Sequence, residues 1–350
     1  MIITKRGDRV KPVVTVTNWV HQAALDRLST RCDVIANKDR EPWPEHVLLE
    51  NLERSDAVVT FMPDMIGESV LARARKLKMV SCCLKGFDNF DIEACSRHGV
   101  LVSILPDLLT VPGAELAIGL MIAAGRNVLA GDSYIRRGEF KGWRPRFYGT
   151  GLEGSTVGII GLGAVGSAIA ERLVPFRCTV RYADRNRKPR ELEDRLKVSH
   201  ATLEDLLQES DFVIVAVSLT PQTHHIINKE RLAAMKPGAI LVNFARGSLV
   251  DEAAVADALA SGHLGFYTAD VFEFEDWAIP DRPKEVHHGL IENWSHTLLT
   301  PHIGSAVTRV REEMAMQAVE NVIAFFDGQT PQGALNAAAV AASAGIERNA

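Results

Sequence analysis

Three short segments carry charged side chains suited to moving a proton and holding an anion: Asn243-Phe244-Ala245-Arg246-Gly247, Asp270-Val271-Phe272-Glu273-Phe274-Glu275 and Pro301-His302-Ile303-Gly304-Ser305. An arginine clamps an anion through paired N–H donors. A histidine changes charge near neutrality, and a neighbouring glutamate orients the imidazole and favours its protonated form. An arginine, a glutamate and a histidine from these segments therefore form a coherent set. Each follows an apolar run with the character of a strand, and open α/β sheets bind ligands beyond the carboxyl ends of their strands.

A fourth segment suits a dinucleotide. The run from Val157 to Ile160 leads into Gly161-Leu162-Gly163-Ala164-Val165-Gly166 and then into a helical pattern. In such a G-x-G-x-x-G turn Gly161 permits the tight bend and Gly163 lets the backbone approach a pyrophosphate. Ala164 and Val165 open the helix whose N-terminus faces the anion, and Gly166 lets helix and strand pack closely. Asp184 stands 18 residues past Gly166 and closes the next apolar run, placed to accept hydrogen bonds from the ribose hydroxyls of NAD. Arg185 follows it, in a basic stretch with Arg181, Arg187, Lys188 and Arg190. That stretch reads either as a solvated loop or as a seat for the 2′-phosphate of NADP. NAD is the expected cofactor, with secondary use of NADP left open.

Positioning these groups requires an α/β framework. β-branched runs at 13–17, 57–61, 78–82 and 100–103 alternate with helix-like windows, and a second series follows at 156–160, 178–182, 212–217, 239–242 and 267–271. Two such series imply two parallel sheets. Residues 111–127, with Pro112 near the start and apolar positions almost all round, predict a long buried helix between them. A mirror helix is expected over 305–326, stopped by Gly328. Two long helices at one boundary imply a double crossing: a first domain over 1–105, a nucleotide-binding domain over 106–300, a return over 301–335 and a motif-free tail over 336–350, expected to be partly mobile or to pack on a neighbour.

Composition narrows the function. Lys and Arg total 39 against 44 for Asp and Glu, a formal charge of −5, which supplies no field for a nucleic acid backbone. The five cysteines, Cys32, Cys82, Cys83, Cys95 and Cys178, form no C-x-x-C pair and no metal-ligand spacing, so no metal is expected, and Cys82 and Cys83 read as packing residues. The N-terminus lacks a signal-peptide core, and no window reaches the ~18 apolar residues of a membrane span. A cytoplasmic protein without membrane partners is expected.

In their order along the chain, the glycine hexad, N-x-x-R-G, the acid five residues after Asp270 and P-H-I-G resemble the D-2-hydroxyacid dehydrogenase superfamily over nearly the whole sequence. The resemblance implies a Rossmann-type nucleotide-binding domain inserted into a flavodoxin-like α/β substrate domain, with the active site in the cleft. It makes Arg246, Glu275 and His302 catalytic and gives Asp270 the nicotinamide carboxamide. It also sets Val217, Ala245 and Gly304 beside the dinucleotide, and it implies a homodimer.

One loop departs from the superfamily pattern. Where members read about G-x-G-x-D-x-x-D, this chain has Leu84-Lys85-Gly86-Phe87-Asp88-Asn89-Phe90-Asp91. With the segments Phe61–Asp64, Leu105–Pro112, Gly142–Pro145 and Phe147–Gly149, that loop resembles the phosphite (phosphonate) dehydrogenases of the superfamily. By that analogy the reaction is NAD-dependent oxidation of phosphite to phosphate. Lys85, Gly86 and Arg246 hold the small dianion, Met62 and Arg311 border it, and Trp143 and Tyr148 help form the pocket. Either His302, assisted by Glu275, deprotonates the attacking water or Arg246 polarises it. Gly113, Ala245 and Ser218-Leu219-Thr220 depart from the pattern beside the cofactor. The alternatives are a glyoxylate or hydroxypyruvate reductase, which needs the same trio but not Lys85, and a dinucleotide-sensing corepressor.

Overall fold

The computed structural model describes residues 11–346. Its contacts divide the chain into two units, one formed by the chain up to Leu109 and from Val307 onward, the other by Thr110–Ala306.

The first unit is built on a five-stranded parallel sheet: β1 (Val13–Val16), β2 (Asp33–Ala36), β3 (Ala57–Thr60), β4 (Met79–Cys82) and β5 (Leu101–Ser103), in the order β2-β1-β3-β4-β5. A parallel strand covered on both faces reads as a continuous apolar run, and β3 and β4 are buried at every position. The edge strand β2 has no fully buried residue, and for that reason its pattern does not stand out in the sequence. The helix Thr308–Phe326 covers one face with Val310, Met314, Ala318 and Val322 at i, i+4 spacing, joined by Ala315, Val319 and Ile323. Each fully buried valine or methionine there is worth roughly 1.5–3 kcal/mol. On the other face Leu52, Val58, Leu71, Val80, Phe90 and Val102 form a second core. Cys82 and Cys83 are buried, and burial pushes both thiols up, away from the reactive thiolate.

Leu335 and Asn336 are tied to this sheet. Leu335 donates to the Val102 carbonyl at 2.9 Å. The Asn336 side chain accepts from the Val102 N–H at 2.9 Å and donates to the Val100 carbonyl at 2.9 Å. The motif-free tail thus begins with a buried asparagine that completes the β5 edge, followed by the helix Ala337–Ile346.

The second unit holds seven parallel strands: β6 (Thr156–Ile160), β7 (Thr179–Ala183), β8 (Val198–His200), β9 (Phe212–Val215), β10 (Ile240–Asn243), β11 (Phe266–Ala269) and β12 (Thr297–Leu299), in the order β12-β11-β10-β9-β6-β7-β8. Chain order reverses between β6 and β9, and the carboxyl ends of those two strands form the crevice where such sheets take their ligands. The helix Thr110–Gly125 lies in the core on one face, with Ala114, Ala117, Ile118, Met121 and Ala124 against Val157, Ile159, Ile214 and Val242. No single helix among the described residues is long and apolar enough to cross a membrane. The pair Thr110–Gly125 and Val128–Arg136 passes by length and composition only, bent by 62°.

After that pair the chain runs out over 137–151 with no regular structure. Trp143 and Tyr148 stand 79% and 81% exposed on it. The 139–150 segment around them is exposed throughout.

Candidate active site

The glycine turn after β6 has the form a dinucleotide needs. Gly161 sits at φ +96°, and a Cβ there would lie 2.7 Å from the Ala216 carbonyl oxygen and 2.7 Å from Val217 Cγ1. Only glycine permits that bend and that approach to the β9 end. A Cβ at Gly166 would meet the Gly161 carbonyl at 2.1 Å, which packs the helix Ala164–Leu173 onto the turn. At Gly163 a Cβ would meet nothing within 4 Å, and Gly163 and Ala164 are exposed while Val165 is half-buried. The N–H groups of that first turn therefore face open space, the arrangement that receives a pyrophosphate. The residues present fit the cofactor.

Asp184 follows β7 as expected and is already engaged. Its Oδ2 accepts from the Leu162 N–H at 3.0 Å and faces Lys188 Nζ at 3.0 Å, while Oδ1 lies 3.4 Å from the Asn186 N–H. Burial pushes this carboxyl up, but Lys188 and the Leu162 N–H outweigh it and hold it below the usual carboxylate range. The basic stretch is largely paired: Arg187 with Glu193, Arg181 with Glu209 and Arg190 with Asp194. Arg185 is exposed.

The catalytic candidates occupy the carboxyl ends of β10, β11 and β12. Asn243, the last residue of β10, folds its side chain into the following turn, donating to the Arg246 carbonyl at 2.8 Å and accepting from the Ala245 N–H at 3.3 Å. That is asparagine turn chemistry, and it shapes the backbone from which the half-buried Arg246 extends. The next residue must be glycine, because a Cβ at Gly247 would lie 1.8 Å from the Phe272 carbonyl carbon and 2.2 Å from the Glu273 nitrogen. The Arg246 turn is thereby pressed against the turn that carries Glu275.

Glu275 and His302 meet. Glu275 Oε1 accepts from the Phe272 N–H at 2.8 Å, and Oε2 lies 2.8 Å from His302 Nδ1. The carboxylate, an acceptor only, assigns the Nδ1 proton, and Nε2 is left to give or take the other one. His302 holds φ +52°, a left-handed conformation uncommon outside glycine, kept by N–H bonds to the Asp270 carbonyl at 2.8 Å and the Thr300 carbonyl at 3.0 Å.

Asp270 is tied into the turn that carries His302. It is fully buried: Oδ1 accepts from the Thr300 hydroxyl at 2.6 Å and the Ile303 N–H at 2.8 Å, and Oδ2 accepts from the Gly304 N–H at 2.8 Å. Its carboxylate holds the turn that presents His302, and burial pushes its pKa up. Thr300 and Asp276, whose Oδ2 takes the Ser248 N–H at 2.6 Å, were not marked by the sequence reading. The one available signal was their place immediately beside the three charged segments. Val217, Ala245 and Gly304 are half-buried at the ends of β9, β10 and β12.

In the first unit, Met62 and Lys85 follow the adjacent strands β3 and β4, and Arg311 lies in the first turn of the helix Thr308–Phe326. Met62 packs partly on the second core, and its carbonyl accepts from Asn89 Nδ2 at 2.7 Å. Lys85 and Gly86 are half-buried. Burial pushes the Lys85 pKa down, with Asp107 opposing. Among the described residues no group of three or more His, Cys, Asp or Glu side chains could hold a metal ion.

The family described as D-isomer specific 2-hydroxyacid dehydrogenase, NAD binding domain, matches residues 118–304. The glyoxylate reductase of Pyrococcus horikoshii is 39% identical over 332 residues, covering 93% of this chain and 96% of that protein. Among solved structures, the TT0316 protein of Thermus thermophilus superposes with a TM-score of 0.84 at 38% identity, over 92% of this chain and 99% of that one. A glyoxylate reductase from Paecilomyes thermophila superposes with a TM-score of 0.78 at 26% identity, over 93% and 98%. These findings overturn the expectation of phosphite oxidation and of a dianionic phosphite substrate: relatives at 36–39% identity over nearly the whole chain are named glyoxylate reductase. The Arg, Glu and His set serves either reaction, so the phosphite reading rested on Lys85 and its neighbours. One altered loop does not outweigh the likeness of the entire chain.

Proposed function

Because the chain belongs to the D-isomer specific 2-hydroxyacid dehydrogenase family and is an NAD-dependent dehydrogenase, we propose that it reduces a small 2-oxo acid, with glyoxylate as the first candidate, to the 2-hydroxy acid. The observation that carries this reading is the 36–39% identity, over nearly the whole chain, to proteins named glyoxylate reductase, and the 2.8 Å contact between His302 Nδ1 and Glu275 supplies the proton-transfer pair that it needs. NADH held at the glycine turn would supply the hydride for reduction of the carbonyl carbon. Arg246 holds the substrate carboxylate through its paired N–H donors and polarises the carbonyl. His302 donates the Nε2 proton to the carbonyl oxygen as charge develops there, and Glu275 fixes the ring and supports its charged form. Asp270 keeps the His302 turn in place, and Gly161, Gly163, Ala164, Val165, Gly166 and Asp184 seat the dinucleotide.

The test follows NADH absorbance with glyoxylate, hydroxypyruvate and pyruvate as substrates. Turnover of one or more is expected, and His302→Gln should lower kcat by about 10²- to 10⁴-fold with NADH affinity unchanged. No turnover of any 2-oxo acid, or a His302→Gln enzyme within twofold of the parent, refutes the reading. The same assay examines Lys85 as an anion-binding group, for which Lys85→Ala should raise KM severalfold at constant NADH affinity. We also propose a homodimer, supported by Val128, Leu129, Ile135, Phe140 and Phe147, all exposed on one stretch of the second unit. Light scattering on the intact protein checks it.

A further inference from the structure

Two glutamates that the reaction does not use bind each other's backbone. The Glu273 N–H donates to Glu252 Oε1 at 2.8 Å, and the Glu252 N–H donates to Glu273 Oε1 at 2.8 Å. The remaining oxygens are also engaged: Glu252 Oε2 accepts from the His287 N–H at 3.2 Å, and Glu273 Oε2 lies 3.5 Å from His225 Nε2. Glu252 is 2% exposed.

The placement of the pair gives it meaning. Glu252 opens the helix Glu252–Ala260, reached from Arg246 through the short turn Gly247–Leu249. Glu273 opens the turn Glu273–Glu275, which ends on the carboxylate that holds His302. An acid in a helix's first turn is ordinary when it serves that helix. Here Asp251 already caps the helix through the Ala254 N–H at 2.9 Å, and the Glu252 carboxyl is directed to Glu273 and His287 instead. Facing two acids in a dry place is costly unless their hydrogen bonds are used, so a pair retained only for packing would be served better by apolar side chains.

We infer that Glu252 and Glu273 are positioning residues, whose reciprocal hydrogen bonds hold the turn of Glu275 against the segment that begins at Arg246. The inference rests on the roles given above to Arg246, Glu275 and His302. The groups facing Glu252 are Glu273 and Asp276, with His225, which also feels Asp251, the His287 N–H and the Tyr267 hydroxyl beside them. Burial pushes the Glu252 carboxyl up to about 7, the Glu273 and His287 N–H groups opposing and the Glu273 and Asp276 charges adding. His225 is drawn up by its contact with Glu273. When Glu252 ionises, its charge is buried in that dry place beside Glu273 and Asp276, a cost that outweighs the stronger N–H bonds and strains the two turns.

The experiment compares Glu252→Ala, Glu252→Gln and wild type for kcat, KM and NADH affinity from pH 5.5 to 9, with circular dichroism to establish folding. Glu252→Ala should lower kcat at least about tenfold, since a displacement near 1 Å can cost ~10², with NADH affinity within twofold because the glycine turn after β6 is untouched. Glu252→Gln keeps an acceptor for the Glu273 N–H and cannot ionise. It should recover most of kcat near pH 6 and move the alkaline fall of kcat to higher pH. If the alanine variant does not fold, the glutamine pH profile decides. A folded Glu252→Ala enzyme within twofold of wild-type kcat, or a Glu252→Gln profile superimposable on wild type, overturns the inference while leaving the proposed reaction standing. A wild type that reduces no 2-oxo acid overturns both.

Discussion

Replacing Gly247 by alanine tests whether two turns must touch for the chemistry to occur. The added Cβ would lie 1.8 Å from the Phe272 carbonyl carbon, 2.2 Å from the Phe272 oxygen and 2.2 Å from the Glu273 nitrogen. Carbon atoms rest at about 3.5 Å or more, so one turn must retreat by roughly 1.5 Å. Every atom in the way is backbone, and no side chain can swing aside. The retreat separates Arg246 from the Glu275–His302 pair, and a misplacement of that size costs on the order of 10² in kcat, or about 2.7 kcal/mol. Strain of the overpacking kind adds about 1–3 kcal/mol of lost stability. Gly163→Ala is the contrast, since its Cβ would meet no protein atom within 4 Å and the backbone there, at φ −80°, is open to any residue. That variant should keep its thermal midpoint and lose NADH affinity by about tenfold, ~1.4 kcal/mol, because its methyl group stands where the pyrophosphate approaches. Steady-state kinetics, NADH fluorescence titration and thermal melts on both variants separate the effects. A Gly247→Ala enzyme with kcat/KM within twofold of wild type, or a Gly163→Ala enzyme destabilised as much as Gly247→Ala, refutes the reasoning.

Asp270→Asn leaves one acceptor oxygen where three donors converge, so at least one of the Ile303 and Gly304 N–H groups loses its partner. Urea unfolding should show about 1–3 kcal/mol lost, with kcat falling because the His302 turn loosens. Glu252 has a linkage effect on stability. Its carboxyl ionises near its ordinary value in the unfolded chain and only at about 7 when folded, so stability falls as pH rises from roughly 4.5 through 7, by up to about 3 kcal/mol; urea midpoints at pH 5 and pH 8 should differ for wild type and converge for Glu252→Gln. Lys188 neutralises Asp184 at 3.0 Å, so Lys188→Ala should restore the acid's repulsion of a 2′-phosphate and lower the ratio of kcat/KM with NADPH to that with NADH. A ratio that stays the same removes Lys188 from cofactor choice.

Much of the framework was legible because burial on both faces writes itself into sequence. The runs in β3, β4, β6 and β9 are apolar at nearly every position, and the glycine hexad stands between one of them and a helix. The strands that escaped notice are edges: β2, β8 and β12 are short and partly exposed, and they lack the continuous pattern. Asp270 was recognised as important from its place after β11, but its task depends on three donors from residues 300–304, thirty and more positions away. The Glu252 and Glu273 clasp left even less trace. In sequence each is one more acid near a helix start or in a loop, and only the fold brings the two backbones together.

The error about substrate has the same physical origin. Arg246, Glu275 and His302 report that an anion is held and a proton moved, and those needs are common to an oxidised phosphorus acid and a reduced oxo acid. A catalytic set therefore identifies the reaction's charge changes more securely than its substrate. Lys85 was given the power to discriminate because an extra cation suits a dianion, yet it is half-buried beside Asp107, and that carboxylate offsets part of its charge. Its field toward a ligand is accordingly smaller than a free ammonium would supply, too weak a signal to set against likeness over nearly the whole chain. If Asp107 does screen it, Asp107→Asn should lower KM for an anionic substrate while Lys85→Ala raises it, and the double variant should match Lys85→Ala alone. Independent, additive effects in that cycle would show that Lys85 acts without Asp107.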